Sequence, residues 1–176
     1  MDPVHAHLIL NHIPSIGLGA VALLLAYGLL RKSDEVVRAA LFGLIIIALT
    51  TIVVFLTGEP AEEAVEDLPG VLHDYIESHE SAGLIALFTV EAIGAAALIG
   101  LLLSRRWREI PRLFTIIALV LSLAGAAVVA WTSNLGGQIR HTEIRDSAAA
   151  GQPVEGEQEG EEGGRGRGRG RGGDYR

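Results

Sequence analysis

Six histidines are the residues of this chain best suited to chemistry: His5, His7, His12, His73, His79 and His141. Imidazole is a common ligand of haem iron, zinc, copper and non-haem iron. All six fall before the first long apolar stretch, in its opening turns, between the second and third, or just after the fourth. If those stretches are alternating helices, the six share one end of the bundle. His5 and His12 are seven apart and lie on one helical face, whereas His7 points elsewhere, over Asn11. Below His12 come Ser15 and Gly19, and below His79 come Ala82, Gly83 and Ala86. Small residues leave room beside an imidazole for a flat macrocycle or a metal, although they also let helices pack closely. A bis-histidine haem b needs two rings from different helices. His12 with His79 is the expected pair, with His5, His141 and His73 as substitutes. Set against this, single histidines are commonly tolerated in the interfacial zone, where they bond to water, headgroups or helix ends.

Carboxylates form the second set. The segment from Gly58 to Glu80 carries eight of them and no Lys or Arg. Most of such a run is a solvated face. Glu63, Glu77 and Glu80 are the members placed to complete a metal site with His12 and His79, or to orient ligating imidazoles from behind. Glu91 stands apart, near the middle of the third apolar stretch. There an ionised carboxylate costs about 3 kcal/mol even on the lenient insertion scale, so Glu91 is expected to rest as the neutral acid. Thr50 and Ser122, at similar depth, are its expected hydrogen-bond partners. A proton relay, part of a quinone pocket, or plain helix-to-helix adhesion would each suit it.

Several activities are excluded or unsupported. With no cysteine, disulfides, zinc ribbons, iron–sulfur ligation and thiolate haem ligation are impossible. The sequence has no Walker loop, dinucleotide fingerprint, His-Glu-x-x-His or nucleophile elbow. An electron carrier or a subunit therefore suits it better than a stand-alone enzyme.

The elements that must position these groups are four apolar stretches, Leu8–Leu30, Val36–Thr57, Ser81–Leu103 and Arg112–Thr132. Each has about the 20 residues a helix needs to cross a bilayer core of about 30 Å. Short connections make neighbours antiparallel. The expected fold is all-α: an integral membrane four-helix up-down-up-down bundle over residues 1–146, with a short acidic extracytoplasmic helix, then a disordered tail over 147–176. Arg31, Lys32, Arg38, Arg105, Arg106, Arg108 and Arg112 flank the first and third connections. Basic residues stay in the cytoplasm, so both termini and the acidic segment are expected outside a bacterial inner membrane. Arg140 and Arg145 argue mildly the other way. The first helix lacks a basic leader and a cleavage site, and is expected to be retained.

Local signals add detail. Asp2-Pro3 and Glu59-Pro60 read as helix starts, Pro14 as a kink, Pro69-Gly70 as a turn and Gly136-Gly137 as a helix end. The tail, rich in Gly and Glu and then alternating Arg with Gly from Arg165 to Arg171, cannot bury a core. Such repeats bind RNA in the cytosol, but outside the cell no nucleic-acid partner is expected.

Three segments carry a resemblance: His5-Ala6-His7 through Asn11-His12-Ile13-Pro14; Thr57-Gly58-Glu59-Pro60-Ala61-Glu62-Glu63 with His79-Glu80; and Asn134-Leu135-Gly136-Gly137-Gln138-Ile139-Arg140-His141. Together, over residues 3–145, they resemble a family of small bacterial four-helix membrane proteins of unknown function. More distantly the chain is similar to membrane domains sometimes fused to Rieske iron–sulfur domains, which implies respiratory redox chemistry by association. Three readings follow in order: a haem b electron carrier, a non-haem transition-metal site, and a cofactor-free accessory subunit of a larger membrane complex. The bilayer is the first partner, a respiratory redox protein the second, and oligomerisation is left open.

Overall fold

The computed structural model describes residues 2–105 and 109–145, and the tail from 147 onward lies outside the described residues. The described chain is helical: α1 (Pro3–Leu10), α2 (His12–Arg31), α3 (Asp34–Leu56), α4 (Gly58–Glu63), α5 (His73–Ser104) and α6 (Arg112–Arg140), closed by a single 3-10 turn at Thr142–Ile144. Four helical stretches are long and apolar enough to cross a membrane: Pro3–Arg31, comprising α1 and α2, then α3, α5 and α6. Their most apolar windows bury only 28–33% of their residues inside the bundle. Leu23, Leu30, Phe88 and Leu113 lie 67–81% exposed. Water would penalise so large an apolar surface, and lipid would not.

The local starts follow the sequence. Asp2 caps α1, its carboxylate accepting from the Val4 N–H at 3.3 Å, with Pro3 in the first turn. Pro14 has no N–H to give the Leu10 carbonyl, and the helix is interrupted at Asn11, between α1 and α2. Lys32 takes the left-handed conformation at φ 52°, and Ser33 then caps α3. At Gly70, φ +83° turns the chain back towards α5, a conformation that costs glycine nothing. One expectation is corrected. Gly136-Gly137 does not end the last helix, because α6 runs on to Arg140.

The four long helices pack in cyclic order α2–α3–α5–α6, and α1 leans on α3 and α4. Leu18, Leu25, Leu41, Leu44 and Val90 fill the centre and are almost wholly buried. Gly94 brings α5 against Ala48 of α3, so close that no side chain fits between them. At the end carrying Arg31 and Lys32, Arg38 donates to the Ser104 hydroxyl and, at 3.3 Å, to the Ser104 carbonyl. Asp34 accepts from the Ile110 N–H at 3.1 Å. The two connections at that end are thus tied to each other, leaving the opposite end, with the histidines, to hold the site.

Candidate functional site

At the histidine end, α1 and α5 each bring one imidazole into the bundle. His7 comes from α1 and His79 from the second turn of α5. Their ring centroids are 6.4 Å apart, with planes nearly perpendicular at 88°. Both are partly buried. His7 Nδ1 lies 3.0 Å from the Val54 carbonyl, and His79 Nδ1 lies 3.1 Å from the Thr132 carbonyl. A carbonyl can only accept, so each Nδ1 carries the proton and each neutral ring keeps its lone pair on Nε2. Among the described residues neither Nε2 has a protein partner, and neither is sealed from solvent.

The two rings are seated by the same device. Val54 lies four residues before Gly58, and Thr132 four before Gly136. A methyl group at Gly58 would stand 3.6 Å from His7 Cε1. One at Gly136 would stand 2.8 Å from His79 Cε1. In each half, a histidine of the odd-numbered span therefore hangs from a carbonyl of the following span, with its edge over a glycine one turn on. The three segments that carry the sequence resemblance supply these parts: His7 from the first, Gly58 and His79 from the second, Gly136 from the third.

This differs from the pairing expected from sequence. His12 is exposed and its Nδ1 lies 2.7 Å from Leu8 O, within its own stretch of helix; the ring facing His79 belongs to His7. Helical phase counted from His5 to His12 missed this, because it gives angles about an axis and not which side of that axis meets a neighbour. His5 is exposed and pairs with Asp2 at 3.2 Å. His141, also exposed, pairs with Glu143 at 2.9 Å. The Glu143 carboxyl is held below its ordinary value by its own backbone N–H and by His141. His73 is exposed at the first position of α5.

Of the metal candidates, Glu63, Glu77 and Glu80 are all exposed, and among the described residues no three His, Asp or Glu side chains converge as a metal site. Charges do gather where α4 approaches the start of α5. There burial, followed by the negative charges of Glu80 and Glu59, pushes the Glu62 carboxyl above its usual value. Gly19 and Gly83 face open space, while Ala82 and Ala86 are buried at helix contacts. Of the small residues below the histidines, Ala82 and Ala86 therefore serve close packing, and Gly19 and Gly83 do not.

No family model matches the chain, and no curated protein or solved structure matches it.

Two further groups bear on the site. Glu91 presents a buried Oε1 with no partner among the described residues. Its expected partners are engaged with their own helices, Thr50 at 2.8 Å to the Ile46 carbonyl and Ser122 at 2.7 Å to the Ala118 carbonyl. A hydroxyl one turn from a free lone pair takes the local bond first, which sequence depth alone does not reveal. Arg145, weighed from sequence only as mild counter-evidence on membrane orientation, is 8% exposed. Its guanidinium donates to the carbonyls of Gln138 (2.7 Å), Ile139 (2.8 Å) and Gly70 (3.0 Å) and lies 4.6 Å from the centre of the Tyr75 ring. It binds the last turn of α6 to the turn that precedes α5, directly beside the histidine end.

Proposed function

We propose that the chain is a multi-pass protein of the bacterial inner membrane, with its histidine end outside, and that His7 and His79 hold haem b there for electron transfer. The observation that carries this reading is the His7–His79 pair: two rings from different spans, 6.4 Å apart, each with Nδ1–H committed to a backbone carbonyl. Ligating histidines characteristically give their other N–H to a carbonyl or carboxylate, which fixes the tautomer and orients the ring. Through their free Nε2 lone pairs the two rings would hold the haem iron.

The donor set also favours haem over a bare ion. A transition metal bound only by protein takes three or four side-chain ligands, and no such group occurs among the described residues. Porphyrin supplies four nitrogens of its own, so two histidines complete the iron. Bound haem supplies one-electron redox chemistry. The protein's part is to hold both tautomers and, through Gly136, to leave room for the edge of the His79 ring. The membrane orientation is supported by seven basic residues flanking the first and third connections and none between Gly58 and Glu80.

The test is the absorption spectrum of protein purified in detergent from haem-replete cells. One haem b per chain is expected, with a Soret band that shifts on reduction. It should be lost in His7→Ala and in His79→Ala and kept in His12→Ala. A colourless, folded protein overturns the assignment, and so does a haem signal that survives both replacements. A colourless protein with a melting temperature lowered by His7→Ala would instead identify the pair as a clamp between the two halves, as a cofactor-free subunit requires.

A further inference from the structure

Beside the histidine pair, on the outer side of the α5–α6 seam, lies an open groove of about 440 Å³. Its lining is graded. Glu77, Ser78 and Ser81 of α5 line it towards the histidine end, while Ile85 of α5 and Trp131 of α6 line it one to two turns deeper. Leu135 forms the facing wall. The seam behind is closed by the Thr132 hydroxyl, which reaches the Ala82 carbonyl at 3.2 Å. Trp131 is 49% exposed, and exposed indoles of membrane proteins are enriched at the boundary between headgroups and acyl chains.

We infer that this groove seats a phospholipid with a primary-amine headgroup, its ammonium at Glu77 and its acyl chain along Ile85 and Trp131. Along α5 the lining runs from carboxylate through hydroxyls to hydrocarbon, in the order in which a phospholipid changes polarity. Charge selects the headgroup. Glu77 is exposed and has no basic partner among the described residues, and the segment Gly58–Glu80 holds eight carboxylates and no Lys or Arg. An anionic headgroup is repelled there. A quaternary ammonium is attracted but cannot donate a hydrogen bond, whereas a primary ammonium donates three. Ser78 gives its own proton to the Asp74 carbonyl at 2.7 Å and so offers lone pairs to the headgroup. Ser81 has no protein partner among the described residues and can donate to a phosphate or ester oxygen.

The chain contains two tryptophans, so Trp107→Phe leaves Trp131 as a sole fluorescent reporter inside the groove. Full-length Trp107→Phe protein in detergent is titrated with lipids brominated on the acyl chain, bromine quenching an indole only on close contact. Brominated phosphatidylethanolamine is expected to half-quench Trp131 at a mole fraction about three- to fivefold lower than brominated phosphatidylcholine or phosphatidylglycerol, the range of a partly exposed ion pair. Glu77→Gln should abolish that preference, and Glu66→Gln, a charge change outside the groove, should retain it. Water-soluble glycerophosphoethanolamine should fail to compete, since the acyl chain provides most of the contact. Equal quenching by the three lipids overturns the inference. So does a preference that persists in Glu77→Gln, or one that the soluble headgroup displaces.

Discussion

Replacing Gly136 by alanine tests how His79 is held. In a helix interior the change favours the helix by about 1 kcal/mol, and Gly136 lies within α6, well before its end at Arg140. The new methyl group, however, would fall 2.8, 3.1 and 3.2 Å from Cε1, Nδ1 and Nε2 of His79. Such contacts are too short, so the ring must swing away and its 3.1 Å bond to the Thr132 carbonyl is lost. Overpacking of this kind costs about 1–3 kcal/mol, and the lost hydrogen bond about 1 kcal/mol more. Against the gain in helix propensity, a net loss of about 1–3 kcal/mol is expected. Gly58→Ala should behave differently, because its methyl group meets His7 at 3.6 and 3.9 Å, ordinary contact distances; stability should hardly change. The assay is reversible unfolding in mixed detergent, run on each variant and repeated in a His79→Ala background. Without the ring the obstruction is gone, and Gly136→Ala should then stabilise α6. If Gly136→Ala destabilises equally with and without His79, the ring is not what the glycine accommodates, and the account of the seat is refuted.

Two further outcomes are expected. Glu62 has a folded-state carboxyl raised above the ordinary value of 4.5 by burial and by Glu80 and Glu59, so the folded protein holds that proton more tightly than the unfolded chain. The associated stability is full below about 4.5, falls as pH rises through the raised folded value, and is absent above it; Glu62→Gln should flatten this decline in a melting-temperature titration, and an unchanged slope would refute the assignment. Arg145→Ala removes a buried charge donating to three carbonyls and should cost about 3 kcal/mol or more. Arg145→Lys should recover little, since a compact ammonium lacks the planar fork that spans the Gln138, Ile139 and Gly70 carbonyls while lying over Tyr75; hydrogen exchange at Val71 should accelerate in both, and full recovery by lysine would contradict the geometry.

Several features of this protein were legible residue by residue. Bilayer chemistry demands long, uninterrupted apolar helices with internally satisfied backbones, so four such stretches announce themselves by composition. Caps and turns are equally local: Asp2-Pro3 starts a helix and Gly70 reverses the chain where expected, while the break expected at Pro14 falls three residues earlier, at Asn11. That the histidines gather at one end followed from counting spans. Which of them meet did not. The expectation of His12 with His79 rested on phase within one helix, whereas the observed pairing of His7 with His79 depends on how α1 leans after the break at Asn11 and on Gly136, which admits the His79 ring.

Composition and short-range spacing therefore determine the kind of fold, the number of spans and the clustering of imidazoles, because each depends on the solvent around a segment or on its immediate neighbours. The choice of His7, the isolation of Glu91 from Thr50 and Ser122, and the burial of Arg145 belong to tertiary structure alone. Each turns on the rotation of one helix against another, and a few tens of degrees decide whether a side chain meets a partner, its own backbone or lipid.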